Sequence, residues 1–407
     1  MRRRKFLTAA SLATAGMLIP VGLNSYVART SAQTNRNRQR LVFILLRGGI
    51  DGLNVVIPHQ EANYYQARPT IAVPYPQEKN GAIDLDGFFG LHPHLQDLMP
   101  FWQQKSLAFI HSSGLTVVER SHFQAQDYVE NGTPGTKNTA NGWMNRLLAE
   151  LPQQRPTQAL NVGGTTPYIL KGKMPIASFR PGRNSASPIF IDRPQINQAF
   201  NNLYSGTDEL SKAFQNGMKS REIVLAELKQ EMMSASRGAK NVNAFVDDAG
   251  EVAKLMVGDA KTQLAFISVG GWDSHINQNS IHNRLLSPLG KGLATLVKGL
   301  ESIYSDTVIV VMSEFGRTVK ENGNRGTDHG YGNVMWLLGG GVRGGQVYGD
   351  WKGLNQSDIH QNRDLPITTD FRDPLSLILQ QHLKIKGDSL SRVFPDYQPT
   401  GKNAFLA

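Results

Sequence analysis

Cysteine is absent from this 407-residue chain, which excludes disulfides, thiolate catalysis and thiolate-ligated zinc or iron–sulfur sites. Any metal site must therefore use histidine and carboxylate ligands. Beyond the N-terminal segment no apolar run is long enough to cross a membrane, so we expect no stable membrane span. Charged residues make up only 19% of the chain, whereas glycine (40) and proline (20) are frequent. This composition favours a loop-rich globular fold over a helical bundle.

Residues 1–32 contain no acidic group and five basic ones: Arg2, Arg3, Arg4, Lys5 and Arg29. The Arg3-Arg4 pair is followed by Lys5-Phe6-Leu7, a mildly apolar stretch and a small-residue cleavage site at residues 30–32. The pattern resembles a twin-arginine export signal. It implies that the twin-arginine translocase exports the folded protein to the periplasm or the cell exterior. A membrane anchor is the alternative, which Pro20 and the weak hydrophobicity disfavour.

The positive charge of the chain does not indicate nucleic-acid binding. Removing the five signal charges from the formal net charge of +10 leaves +5. The remaining basic residues are scattered, apart from Arg36, Arg38 and Arg40. A nucleic-acid interface needs a concentrated basic face, so no nucleic-acid partner is expected.

Apolar runs of strand length alternate with amphipathic segments along the rest of the chain. The runs that we predict as strands are residues 41–46, 107–110, 264–269, 307–312 and 334–338. Helices are predicted at residues 94–104, 122–132, 142–151, 276–304 and 374–383. This alternation predicts an α/β fold with a mostly parallel central sheet and helices on both faces. We expect one domain over about residues 40–400, with a helical surface or cap insertion at about 208–258.

Acids and histidines adjoin the predicted strands at five places. These are Asp51, Ser121-His122, Asp273-Ser274-His275, Glu314 and Asp328-His329. Sites in such sheets form outside the carboxyl ends of the strands, so we expect these side chains to lie at one edge. Their oxygen and nitrogen donors suit a divalent metal: Zn, Mn, Mg or Ca. Such a metal site could polarise a phosphoryl or sulfuryl oxygen.

Several of these residues also fit purely structural roles. Asp51 before Gly52 and Asp328 before His329-Gly330 have the composition of turns. Ser121, and either Asp273 or Ser274, fit the N-cap position of a following helix.

Two further alternatives concern single contacts. Glu314 can pair with Arg317 on the same loop, and His275 can be a surface histidine. The metal hypothesis rests on the whole set, because every member adjoins a buried strand.

A glycine-rich stretch at residues 339–344 fits the dinucleotide-binding pattern G-x-G-x-x-G and follows a strand. A dinucleotide site also requires a helix to begin there. The next residues, 345–350 (GQVYGD), do not have a helical pattern. We therefore interpret the stretch as a loop.

Longer motifs resemble a known family. They are LLRGGIDGLNVVIP (45–58), FGLHPHL (89–95), RSHFQAQDYVENG (120–132), GGWDSH (270–275), SEFGRT (313–318), TDHGYGN (327–333) and TTDFRD (368–373). Together with the twin-arginine start, they resemble the bacterial domain-of-unknown-function 1501 (DUF1501) family over nearly the whole mature chain. That family is in turn similar to the alkaline phosphatase and sulfatase superfamily. The resemblance implies an alkaline-phosphatase-like core and a metal-dependent hydrolase of phosphate or sulfate esters, with an anionic small-molecule or polymeric ester as substrate.

The resemblance also implies roles for individual residues. Ser121 lies where the superfamily's nucleophile is expected. Separately from the resemblance, and from their position beside the site alone, Arg47 or Arg317 is expected to hold the charge of the ester. We expect Ser121, His122 and Arg317 to be catalytic. The expected metal ligands are Asp51, Asp273, His275, Glu314, Asp328 and His329.

Two features depart from the superfamily pattern. Phe315 stands where the histidine of an Asp-His ligand pair is expected, and Asp273 and His275 are more closely spaced than the corresponding phosphatase ligands. These departures leave open an alternative function: an exported binding or assembly protein that keeps the scaffold without catalysis.

Overall fold

The computed structural model describes residues 38–136, 139–152, 158–163, 165–179, 206, 239–258, 262–401 and 405–406. The predicted signal at residues 1–32 and most of the predicted insertion, residues 208–238, lie outside the described residues. None of the described helices combines the length and the apolar character needed to cross a membrane.

Strands in the described part of the chain form a large sheet and a small one. In chain order they are β1 (Arg40–Arg47), β2 (Val56–Ile57), β3 (Ile83–Asp84), β4 (Gly90–Leu91), β5 (Leu107–Gly114), β6 (Ala159–Val162), β7 (Ala177–Phe179), β8 (Lys240–Asn241), β9 (Leu264–Gly270), β10 (Thr307–Ser313), β11 (Asn333–Gly339), β12 (Gln346–Tyr348) and β13 (Thr369–Asp370). The large sheet has the order β12-β5-β11-β10-β1-β9-β6-β7, with β13 beside β5 and β8 beside β9. Strands β2, β4 and β3 form the small sheet.

The large sheet is mostly parallel. Strand β1 lies between β9 and β10 and is parallel to both, with Phe43 opposite Phe266 and Val310. Only β11, among the described strands of this sheet, runs against its neighbours β10 and β5. The predicted fold class and all five predicted strands are confirmed.

Helices cover both faces of this sheet. The helices of the described residues are α1 (Ala62–Ala67), α2 (Met99–Gln103), α3 (His122–Asn131), α4 (Trp143–Glu150), α5 (Val242–Gly258), α6 (Gln278–Gly299), α7 (Arg372–Leu377) and α8 (Gly387–Val393). Short 3₁₀ segments span Gly52–Asn54, Pro93–Leu98, Tyr168–Leu170 and Glu301–Asp306, and a π-helical turn spans Ile378–His382. Helix α3 begins after Ser121 and ends at Gly132, whose φ of 70° is the left-handed conformation that glycine favours.

Both faces of β1 are buried, which explains its uninterrupted apolar sequence. Val42, Ile44 and Leu46 pack in a core with residues of α5 and α6. Leu41, Phe43 and Leu45 pack on the other face in a core with residues of α3, α4, α7 and α8.

Helix α5 corrects part of the predicted insertion. Residues 242–258 were expected at the surface or over the site, but Phe245, Val252 and Met256 are buried in the core. The helix packs along α6, because its apolar positions recur on one face.

The reversed direction of β11 places its preceding loop near the site. The chain leaves β10 at its carboxyl end and re-enters the sheet at Asn333, the first residue of β11. Because β11 is antiparallel to β10, that entry point lies at the same edge as the carboxyl ends of β1, β9 and β10. The loop of residues 314–332 therefore stays at this edge, with Glu314 at one end and His329 near the other.

Replacing Phe43 by alanine tests the core around β1. Its ring meets that of Trp143 edge-on at 5.4 Å and stacks on Phe266 at 6.3 Å. We expect the Phe43→Ala free energy of unfolding to fall by about 3–5 kcal/mol, measured by urea denaturation, because the cavity cannot collapse fully. The matched control is Phe123→Ala, whose side chain is 50% exposed and should cost less than about 1 kcal/mol. Equal losses in the two variants would contradict this assignment.

Candidate functional site

Four of the predicted residues converge at the carboxyl edge of the large sheet. His275 Nε2 lies 3.0 Å from Asp273 Oδ1 and 2.9 Å from His329 Nε2. His329 Nε2 is 3.4 Å from the same Asp273 oxygen, and His122 Nε2 is 3.6 Å from Asp273 Oδ2. His122 and Asp273 are buried, whereas the side chains of His275 and His329 are 13% and 12% exposed. The cluster thus opens towards solvent at His275 and His329.

The outer nitrogen of each imidazole faces an oxygen that can only accept a hydrogen bond. His122 Nδ1 donates to Glu314 Oε1 at 2.8 Å, and His329 Nδ1 donates to the backbone oxygen of Arg120 at 2.8 Å. His275 Nδ1 lies 3.4 Å from Asp328 Oδ1, a weaker contact of the same kind. The Nδ1 proton of each neutral ring is therefore directed outwards, and its Nε2 lone pair faces the cluster.

This arrangement creates an excess of inward-facing acceptors. Two Nε2 atoms 2.9 Å apart form a hydrogen bond only if one of them carries a second proton and becomes cationic. Asp273 adds a carboxylate to the same space. A cation at the centre of the cluster satisfies these lone pairs without extra protons.

The donor set fits a divalent metal on two structural criteria. His122 Nε2 and Asp273 Oδ2 are buried and have no hydrogen-bond partner among the described residues. The ligand atoms of His122, Asp273 and His329 also all lie within 4.8 Å of one another. Four ligands around tetrahedral zinc are about 3.4 Å apart, close to the measured contacts. His122, Asp273, His275 and His329 could therefore hold one metal ion.

The electrostatics of the cluster hold its acids ionised. Burial alone would raise the pKa of Asp273, but the Arg317 charge and the nearby imidazoles of the three histidines hold it well below its usual range. Burial would lower the pKa of His122, but the nearby Asp273 carboxylate and the hydrogen bond to Glu314 raise it to about 9. Burial, with the nearby Arg317 charge, lowers the pKa of His329. Protons and a metal ion would compete for the same Nε2 atoms.

Glu314, predicted as a metal ligand, instead lies behind His122. Its Oε1 accepts hydrogen bonds from His122 Nδ1, Gln126 Nε2 and the Gly48 backbone N–H, each at 2.8 Å. Burial would raise its pKa, but the His122 hydrogen bond and charge lower it to about 2. Glu314 therefore orients His122 in the way that carboxylates orient metal-binding histidines. The alternative Glu314–Arg317 pair is not formed.

Asp51, also predicted as a ligand, is already paired. Its Oδ2 lies 2.5 Å from Arg68 Nη1 and from Gln278 Nε2, and its Oδ1 lies 3.1 Å from Arg68 Nη2. The same Oδ1 accepts from the Leu53 N–H, as the turn interpretation expected. Burial would raise the pKa of Asp51, but the Arg68 charge lowers it. The guanidinium of Arg68 occupies the position from which a metal would reach this carboxylate.

Arg317 and Arg47, considered as binding groups for the ester, both form hydrogen bonds and ion pairs with other residues of the protein. Arg317 is buried and donates to the backbone oxygens of Gly48, Gly49 and Thr327 as well as to Asp273. Arg47 is 4% exposed and pairs with Gln126 and Glu130. The expected catalytic role of Arg317 does not fit this burial, and its contacts connect the loops after β1 and before β11 to Asp273.

The remaining predicted residues lie at the rim. Ser121 is exposed at the N-cap of α3, without a side-chain capping bond, and directly precedes His122. Asp328 has a side chain that is 55% exposed and accepts a hydrogen bond from Asn322. It contacts His275 from outside the cluster, so it orients that ring instead of facing the inner nitrogens. Asp273 and Ser274 do not cap a helix, since α6 begins after Asn277.

Phe315 fills the place where a histidine ligand was expected. Its ring packs against those of His122 and His329, with centroids 4.7 and 4.9 Å apart. The side chain is 2% exposed, so it closes one side of the cluster with an apolar surface.

Several residues that build the site were missed from the sequence. Arg68 and Gln278 hold Asp51, Gln126 holds Glu314, and Asp364 pairs with two arginines near His329. These residues lie in polar segments in which many residues look alike, and most of their partners lie elsewhere in the chain, so the sequence does not single them out.

Removing the Arg68 charge tests the assignment of Asp51. In Arg68→Met the buried carboxylate loses its cation, so we expect the free energy of unfolding to fall by about 3–5 kcal/mol in urea denaturation. The control is Arg68→Met/Asp51→Asn, which removes both charges and should recover part of the loss. A single variant as stable as the parent, or a double variant no better than the single, would show that the pair is not the main support of this carboxylate.

Comparisons with known proteins agree with the predicted family. The family model described as "Protein of unknown function (DUF1501)" matches residues 38–394. A search of curated proteins finds no match.

Solved structures show a distant similarity. The C-terminal periplasmic domain of EptC from Escherichia coli has 10% identity and a TM-score of 0.42, with 94% of this chain and 92% of that chain covered. A protein in the alkaline phosphatase superfamily from Vibrio parahaemolyticus has 13% identity and a TM-score of 0.37, with 86% and 71% covered. A phosphonate monoester hydrolase from Silicibacter pomeroyi has 10% identity and a TM-score of 0.37, with 87% and 73% covered. On the extent of the family match, the chain belongs to the DUF1501 family.

Proposed function

We propose that this chain is an exported hydrolase of phosphate or sulfate esters that uses one divalent metal ion. His122, Asp273, His275 and His329 would hold the ion. The observation that carries this proposal is the convergence of three Nε2 atoms on one buried carboxylate, with each Nδ1 directed at an acceptor outside.

The donor set favours zinc. Imidazole nitrogens with one carboxylate are common zinc ligands, and the soft thiolates that other sites use are absent. When bound, such an ion supplies a Lewis acid for an oxygen of the ester. Glu314 keeps the His122 ring in place from behind, and the Arg120 backbone oxygen does the same for His329.

Ser121 is our candidate nucleophile. It is exposed, it is adjacent in sequence to His122, and its side chain makes no capping bond at the start of α3. The N-terminus of a ten-residue helix favours negative charge on a nearby oxygen. Ser121 Oγ would attack the phosphorus or sulfur atom of an ester bound at the open side of the cluster, and the bond from that atom to the alcohol oxygen of the ester would break. The alcohol would leave with the serine proton, and water would then hydrolyse the phosphoserine or sulfoserine ester and regenerate Ser121.

Export through the twin-arginine route is consistent with such a centre. That route carries folded proteins, so a site buried between strands of the core could be assembled before export. We propose the periplasm or the cell exterior as the site of action.

A second candidate function is supported by Arg68 and Phe315. The guanidinium of Arg68 satisfies Asp51, and Phe315 replaces an expected ligand, so within the described part of the chain the donors at this edge form one metal cluster. An exported binding or assembly protein without catalysis would retain the scaffold in this form. The two experiments below separate these functions.

Elemental analysis of the mature protein, residues 33–407, tests the metal site. We expect about one equivalent of divalent metal per chain after purification without a metal resin, and none in Asp273→Ala/His329→Ala, because two of four ligands are lost.

Two variants serve as controls for the metal measurement. Asp328→Asn should keep the metal, because Asp328 lies outside the cluster, and so should Arg68→Met/Asp51→Asn. Metal loss in the Arg68→Met/Asp51→Asn protein would instead make Asp51 a ligand. No metal in the parent, even after incubation with Zn, Mn, Mg and Ca, would favour the non-catalytic function.

Ester hydrolysis tests the role of Ser121. With phosphate and sulfate esters as substrates, Ser121→Ala should lower kcat by at least about 100-fold at unchanged metal content, because the attacking oxygen is lost. Ser391→Ala, an exposed serine in α8, should behave like the parent. A metal-loaded parent without activity on either ester class would support a binding protein, and full activity in Ser121→Ala would exclude this serine as nucleophile.

A further inference from the structure

A buried carboxylate beside the cluster holds two arginines together. Asp364 is fully buried, with its Oδ2 2.9 Å from Arg120 Nη2. Arg363 Nη1 lies 2.9 Å from Asp364 Oδ1 and 3.0 Å from Oδ2. The side chains of Arg120 and Arg363 are 39% and 35% exposed, so each guanidinium has one side against Asp364 and another towards solvent.

Both arginines are attached to the His329 segment. Arg363 Nη2 donates to the backbone oxygen of His329 at 2.8 Å. The backbone oxygen of Arg120 accepts from His329 Nδ1 at 2.8 Å. The pair is therefore fixed in position relative to a residue of the cluster and to Ser121, which follows Arg120 in the chain.

The pair has unused donors. Two guanidiniums share the buried carboxylate of Asp364, and Arg363 also interacts electrostatically with Asp328. Arg120 Nε is buried and has no hydrogen-bond partner among the described residues, and the side-chain bonds of Arg120 to Asp364 and Gln361 both come from Nη2. By contrast, Arg317, which also lies near the cluster, is buried and donates to the protein from Nε, Nη1 and Nη2.

Space for a substrate adjoins Arg363. A cleft of about 590 Å³ is lined by Arg363, Lys320, Glu321, Asn322 and Asp328, among others. Asp328 contacts His275, and Asn322 donates to the backbone oxygen of His275, so two residues that line the cleft also contact a residue of the cluster. Its size is sufficient for the organic part of a small ester.

We infer that Arg120 and Arg363, held by Asp364, form an anion-binding site for a tetrahedral oxyanion. Planar guanidinium groups bind phosphate and sulfate oxygens through two parallel N–H donors each, and two such groups on one carboxylate are pre-organised for this. The assignment of this site to the anionic group of the ester rests on the proposed function. The binding of the free anion does not depend on catalysis.

Calorimetric titration with inorganic phosphate and with inorganic sulfate tests the site. The proteins are the mature parent, Arg120→Gln and Arg363→Gln, each with and without zinc. Either single variant leaves Asp364 paired with the other arginine, so the fold is retained, which thermal unfolding verifies. Because a charge-assisted contact is lost, we expect the dissociation constant to rise about 10- to 100-fold in either variant. The matched control is Lys320→Gln, which removes an exposed charge from the same cleft and should change it by less than about twofold.

The outcomes separate this inference from the proposed function. Weaker anion binding in both arginine variants, with unchanged binding in Lys320→Gln, supports the site. The anion with the lower dissociation constant, phosphate or sulfate, is the group that the site favours. This weaker binding in the variants would support the site even if the parent hydrolyses no ester, because the binding of the free anion is measured without catalysis. Unchanged affinity in both arginine variants would overturn the inference, and so would a parent that binds neither anion. If ester hydrolysis is present but its KM is the same in both variants, the arginines do not bind substrate and the inference is likewise overturned.

Discussion

The carboxylate of Asp273 is the group on which the arrangement of this sheet edge depends. It is 1% exposed, and a buried charge of this kind is stable only when cations and hydrogen bonds surround it. Arg317 supplies the permanent cation, and the same guanidinium binds the loops after β1 and before β11 through their backbone oxygens. Gly48 is required at this junction, because a Cβ there would lie 2.6 Å from the Asp273 backbone nitrogen. The loops that carry the histidines therefore take their positions from one ion pair.

Two buried aspartates at this edge differ in the cations they face. Asp51 faces Arg68, whose guanidinium remains charged at any physiological pH and cannot be exchanged for another cation. Asp273 faces Arg317 at one oxygen and imidazoles at both. Imidazole can give up its proton to solvent and bind a metal with the same nitrogen. Of the two acids, only Asp273 faces imidazoles, at which a proton can be replaced by a metal ion. A metal site is therefore expected at Asp273 and not at Asp51.

Much of the fold could be predicted from the sequence because local patterns determine it. The apolar runs of β1, β9 and β10 are buried on both faces, and such runs have few other interpretations in a chain of this composition. Helix α3 was bounded correctly by Ser121 and Gly132, since caps are local signals. Helix α5 was misplaced because its lysine and glutamate residues suggested exposure, whereas its apolar face packs against α6. Tertiary packing, which periodicity alone does not reveal, decided that case.

The roles of the site residues were harder to predict, because each role depends on the group opposite the side chain. Glu314 and His122 are separated by 192 positions, and Asp51 and Gln278 by 227. The positions of these residues beside predicted strands correctly indicated that they share one edge of the sheet. The sequence could not show which acid contacts an arginine and which contacts an imidazole. The group opposite the carboxylate decides its role. An acid that faces an arginine is a paired structural acid, one that accepts from the outer nitrogen of a histidine orients that ring, and one that faces the inner imidazole nitrogens can bind a metal. In this molecule Asp51, Glu314 and Asp273 take these three roles in turn, so the chemistry of the edge is set by its long-range ion pairs.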